Sequence, residues 1–222
     1  MHDCASGDCA LYDCVITQSH NPKLEVVGID KMLQLLDPNI VRSLDISSCC
    51  NSSNINETQN LGEVLFKYAS RGRPDIALQD LNISNNLSVS LEDFLNSLYH
   101  MSHLRKLNLS YCNGLTLYFV ANLFEELWNQ SSKCEEIQIF DSFNMWSNEG
   151  SEVDLVQKVV TNIEYLASSK NLRSLQLSIN DTVTEESCIH TILIAWHRTF
   201  NENSNIQISG KKLKLSVIKC QT

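Results

Sequence analysis

The stretch Leu104-Arg105-Lys106-Leu107-Asn108-Leu109-Ser110-Tyr111-Cys112 decides how this chain is read. Leu107 and Leu109 are two residues apart, so in a strand they share one face while Lys106, Asn108 and Ser110 share the other. Leu104 sits on the turn leading into the strand. Cys112 falls past the strand end, where a small side chain can satisfy loop backbone groups. The same pattern returns at residues 41–49, 78–86, 134–142 and 172–180, with Cys49, Asn86, Ser142 and Asn180 in the place of Cys112. Two degenerate copies flank these, Leu24-Glu25-Val26 near the start and Ile206-Gln207-Ile208 near the end. Starts at residues 41, 78, 104, 134 and 172 give spacings of 37, 26, 30 and 38.

Spacings of that length leave room for a helix between successive strands. Apolar residues fall at helical intervals in every gap: Leu61, Val64, Leu65 and Tyr68; Leu91, Phe94, Leu95 and Leu98; Phe119, Leu123 and Leu127; Val156, Val159, Val160, Ile163 and Leu166; Ile189, Ile192, Leu193 and Trp196. Ser90 with Glu92 and Asp93, and Thr184 with Glu185 and Glu186, read as helix starts. A unit with one apolar strand face and one apolar helix face cannot bury both alone. Neighbours must stack, with strands in a parallel sheet and helices outside it. This resembles the leucine-rich repeat in its long, ribonuclease-inhibitor-like form. The resemblance implies an α/β solenoid with a curved parallel sheet inside, helices outside and about six to seven irregular repeats. Residues 1–222 then form a single domain. Residues 1–20 are expected to be an irregular N-terminal cap or the remnant of a longer chain, and residues 203–222 C-terminal capping strands. Lys211 to Val217 alternates polar and apolar residues, which predicts an edge strand.

Composition narrows the function. The chain has 222 residues, 43% of them hydrophobic, enough for one continuous core. Its net charge of −9 repels phosphate backbones and argues against nucleic acid as a partner. No run of 18 apolar residues is present, which argues against a membrane span. The first residues, Met1-His2-Asp3-Cys4, lack the basic and apolar regions of a signal peptide, so cytoplasm or nucleus is the expected location. Nine cysteines, an odd number without framework spacing, are expected to be reduced thiols.

Signals for chemistry are weak. Cys4, Cys9 and Cys14 are too widely spaced for a common zinc motif, and His100 with His103 has no nearby carboxylate or thiol in sequence. No phosphate loop, nucleophile elbow or H-E-x-x-H motif occurs. No metal, cofactor or catalytic residue is therefore expected. An enzyme using cysteine or a metal is the remote alternative, and a signalling or innate-immune receptor fragment the nearer one.

Partner binding is the main expectation, and the outward strand positions carry it. They include Asp45, Asp80, Asn82, Lys106, Asn108, Glu136, Gln138 and Gln176, nearly all small or polar. Phe140 is the apolar exception, and it opens a run containing Phe143 and Trp146 that leads into a loop by composition. Aromatics on a loop beside a binding sheet are raw material for an interaction hot spot.

Residues 23–49, KLEVVGIDKMLQLLDPNIVRSLDISSC, resemble the PRAME-type leucine-rich-repeat proteins, in which a K-L-x-I strand, a short helix and an I-x-x-L-x-V strand follow one another. The resemblance implies a substrate receptor of a cullin–elongin ubiquitin ligase. Thr116 to Ala121 matches the first part of an elongin-binding box, but Glu125 stands where that box wants an apolar residue. Elongin and cullin are thus expected partners only through a box upstream of these residues.

Overall fold

The computed structural model describes residues 14–21, 24–50, 60–72, 75–86, 89, 91–112, 115–129, 133–139, 152–168, 171–180, 194, 204–209 and 212–218. Strands and helices alternate along most of it. The order is β1 (Cys14–Thr17), α1 (Glu25–Leu35), β2 (Val41–Asp45), α2 (Leu61–Ala69), β3 (Asp80–Asn82), α3 (Leu91–Leu98), β4 (Lys106–Asn108), α4 (Leu117–Asn129), β5 (Glu136–Ile139), α5 (Glu152–Ser168) and β6 (Ser174–Asn180). A hairpin of β7 (Ser204–Ser209) and β8 (Lys212–Ile218) follows. All eight strands form one sheet, in the order β1-β2-β3-β4-β5-β6-β8-β7. The first six are parallel, each hydrogen-bonded to the next in sequence.

The register explains the core. Leu44, Leu81, Leu107, Ile137 and Leu175 lie side by side across β2 to β6. Each is no more than 2% exposed. Ile46, Ile83, Leu109, Ile139 and Leu177 form a second buried row, and Val41, Leu78, Leu104, Cys134 and Leu172 a third. The apolar faces of the helices close over these rows in a single cluster, with Val26, Ile29 and Leu33 from α1 and Phe119, Leu123 and Leu127 from α4. The Phe94 and Phe119 rings meet at 6.2 Å between centroids, joining α3 to α4.

The strand ends are built alike. His20, Ser48, Asn85 and Tyr111 each lie three residues past the matched positions Thr17, Asp45, Asn82 and Asn108, and all four have φ between 56° and 62°. The sheet hydrogen bonds continue into these turns, from Ser48 N to Ser84 O at 2.9 Å and from Asn85 N to Ser110 O at 2.8 Å. Inside the bend after β3, Asn86 is fully buried. Its carbonyl oxygen accepts from Cys49 N (3.0 Å) and Cys50 N (2.7 Å). Its amide donates to Ile46 O (3.1 Å) and Ile83 O (2.7 Å). Cys112, at the matching place one strand on, donates its thiol to Ile83 O at 3.2 Å.

Three expectations need correction. Leu24-Glu25-Val26 is not a strand: Glu25 and Val26 begin α1, and Val26 is buried. With Val26, Ile29 and Leu33 all apolar, period 3.6 governs a stretch too short at 24–26 to be told from a strand. Residues 14–17, expected to be part of an irregular cap, instead form β1, parallel to β2. Lys212–Ile218 is not an edge strand either. It lies between β6 and β7, antiparallel to both, and β7 takes the edge. Alternation of polar and apolar residues reports a half-covered sheet, which an interior strand satisfies as well as an edge one. The helices expected around residues 184–196, and the helix start at Ser90, lie outside the described residues save for position 194, which is helical.

Candidate functional site

The open side of the sheet carries two rows of outward side chains. One row runs Ser43, Asp80, Lys106, Glu136 and Ser174, the other Asp45, Asn82, Asn108, Gln138 and Gln176, each matched strand to strand by the register. All are half-buried except Lys106, which is exposed. Strand alternation puts the leucines on the helix side and leaves these polar side chains facing out. Between β2 and β5 they line a shallow hollow of about 210 Å³, with Leu44, Leu81 and Leu107 at its base.

Seven sequence-predicted residues meet in this hollow: Asp45, Asp80, Asn82, Lys106, Asn108, Glu136 and Gln138. Gln176 pairs in register with Gln138, one strand beyond the hollow. Phe140, Phe143 and Trp146 lie outside the described residues.

Several of these side chains also shape the strand ends. Asp45 accepts from Ser47 N at 3.0 Å and from the Ser47 hydroxyl at 2.7 Å. Asn82 accepts from Ser84 N at 3.1 Å, and Asn108 from Ser110 N at 3.0 Å. Each is a local turn in which an Asp or Asn oxygen caps the backbone two residues on. The sequence signal was the recurring Asp/Asn-x-Ser, visible at 45–47, 82–84 and 108–110. One carboxylate oxygen of Asp45, and the amide nitrogens of Asn82 and Asn108, remain for other contacts.

Charge is unevenly spread over the floor. Lys106 is ion-paired with Glu136 at 3.4 Å. Among the described residues the Asp80 side chain has no hydrogen-bond or ion-pair partner. The β2–β3 half is thus acidic, while the β4–β5 half is nearly compensated. Along the neighbouring rim, Glu135 accepts from Arg105 and Arg173, tying β4, β5 and β6 together where the strands begin.

Tyr111 was missed by sequence reasoning. It is 50% exposed at the end of β4 that carries the Asn108 turn, and is held at φ 61°. A bulky residue in the left-handed region costs conformational energy. No signal in the stretch Ser110-Tyr111-Cys112 distinguishes it from a buried loop residue.

Other sequence candidates have occupations elsewhere. The Thr116 hydroxyl accepts from Phe119 N at 3.2 Å and starts α4. Phe119, Val120 and Ala121 are in the core, and Glu125 pairs with Lys158. The box-like segment therefore serves the fold. Among the described residues no three His, Cys, Asp or Glu side chains gather as a metal site, and Cys14, Cys49, Cys50, Cys112 and Cys134 are unbridged. Burial lifts the Cys112 thiol to a pKa of about 11, and burial likewise raises that of Cys49. Such thiols are poor nucleophiles at neutral pH. No helix among the described residues is long and apolar enough to cross a membrane.

Searches of family models, curated proteins and solved structures return no match to this chain.

Proposed function

We propose that the chain is a leucine-rich-repeat solenoid that holds another protein against the open, concave face of its sheet. The observation carrying this is the hollow itself, which spans four parallel strands and is lined mainly by polar side chains. Stacked strand–helix units bury one sheet face under helices and leave the other as a continuous platform. Thiol chemistry is not favoured at Cys49 and Cys112, whose thiols burial holds in the neutral form.

The reading is tested by filling the hollow. Asn108→Trp adds a large outward side chain, gives up the turn bond to Ser110 N and leaves the apolar core in place. Partners captured by tagged wild type should be lost with Asn108→Trp and kept with Trp128→Ala, a change on the helix side. Survival of every partner in the hollow-filled variant would sink the reading. A narrower version makes the module a substrate receptor of a cullin–elongin ubiquitin ligase. It rests on the likeness of residues 23–49 to PRAME-type proteins, of which the first strand is here the start of α1. Elongins and a cullin in the same capture would support it, and their absence would count against it.

A further inference from the structure

The acidic half of the sheet face has a definite geometry. Asp45 and Asp80 project from adjacent strands, in different rows of the same face. Strands lie about 4.8 Å apart and same-face residues about 6.6 Å apart along a strand, so the backbone positions of the two residues sit on a diagonal of about 8 Å. Ser43 and Asn82 occupy the other two corners. Among the described residues the Asp80 side chain has no partner, and one oxygen of Asp45 is uncommitted beside the bonds to Ser47. Lys106 is held toward Glu136 on β5, away from this square. Beyond it, the amides of Asn82, Asn108 and Gln138 form a row of potential donors along the hollow.

We propose that the occupant of this face is an extended basic segment of a partner protein, with an arginine seated between Asp45 and Asp80. This rests on the reading that the face docks a protein, and adds the chemistry of what it docks. A guanidinium presents N–H groups on opposite edges of a flat fork, so it can donate to a carboxylate on either side of it. Ser43 supplies a hydroxyl oxygen at a third corner. The amide row can donate to carbonyls of the segment as it crosses β4 and β5. Three carboxylates line the hollow against one ammonium, and the chain as a whole carries a net charge of −9. Both favour a cationic partner over an anionic one and speed its encounter.

The test uses the full chain, isotope-labelled, and two capped peptides, acetyl-Gly-Ser-Arg-Ser-Gly-amide and its citrulline counterpart. Citrulline keeps the shape of arginine and removes its charge. The arginine peptide should shift the backbone resonances of residues 43–45 and 80–82, and the shift should weaken as salt is raised. Asp80→Asn should weaken binding about fivefold, and Asp45→Asn/Asp80→Asn more than about tenfold. Asparagine at 45 keeps the oxygen that Ser47 uses, and the Asp80 side chain has no partner among the described residues to lose, so both variants stay folded. Lys106→Gln should tighten binding about twofold by removing a nearby like charge. Equal shifts from both peptides would overturn the arginine inference while leaving a docking face. No shift on the face, with Asn108→Trp still releasing the captured partners, would also overturn it and spare the broader reading. No shift together with full retention of partners would sink both.

Discussion

The turns after β3 and β4 occupy matched places in the sheet, yet they are held in different ways. Asn86, fully buried, makes five side-chain hydrogen bonds and so ties the bend after β3 to the bend after β2. Cys112 makes one thiol bond, to Ile83 O. The difference lies in the backbone they serve. The chain after β2 turns two amide groups, Cys49 N and Cys50 N, toward the core, and a buried N–H without an acceptor is costly. An amide side chain offers both an acceptor and two donors, whereas a thiol is a small, weak donor. Position in a repeated pattern therefore sets where a side chain goes, and the neighbouring loop sets what it must do there.

That contrast can be broken by experiment. Asn86→Ala should cost about 3–5 kcal/mol in urea unfolding, because it strands several buried backbone groups at once. A loss under about 1 kcal/mol would mean the bend repacks and the two turns are equivalent. Alkaline pH probes the other turn. The Cys112 pKa is raised from 9.0 to about 11 in the fold, so the thiol stays neutral while the unfolded chain ionises. Its stabilising contribution is present in full below pH 9.0 and is lost between pH 9.0 and about 11. Stability should drop by about 2–3 kcal/mol across that window in chemical unfolding, and Cys112→Ala should flatten the drop. At neutral pH, Cys112→Ala itself should cost only about 1 kcal/mol, the worth of a weak bond and a small cavity. The smallest effect has the opposite sign. Tyr111 and Asn85 hold the same left-handed conformation, which suits asparagine and penalises tyrosine. Tyr111→Gly should raise stability by about 0.5–1 kcal/mol in the same assay, and a loss instead would show that the ring has a packing role.

Much of the fold was legible because side-chain periods report burial directly. Alternation placed Leu44, Leu81, Leu107, Ile137 and Leu175 on the core face, and helical spacing placed Leu61, Val64, Leu65 and Tyr68 on theirs. The polar floor was legible for the same reason, since whatever faces away from the core in a strand is determined once the core face is known. Leu24 to Val26 misled because three residues hold less than one helical turn of information. Lys212–Ile218 misled because an edge strand and an interior strand of a half-open sheet share one pattern.

The sequence by itself determined the parallel run of strands, the helices between them and the two rows of polar residues on the open face. These follow from local periods and from the need of each unit to bury two apolar faces. Only the tertiary structure decided that β1 begins the sheet, that β8 slips between β6 and β7, that Asn86 serves its neighbour's backbone and that Lys106 turns to Glu136, leaving the Asp80 side chain without a partner among the described residues. Each of those depends on which groups from distant parts of the chain arrive within hydrogen-bonding reach. Distance in space is a property of the packed chain, and no local period encodes it.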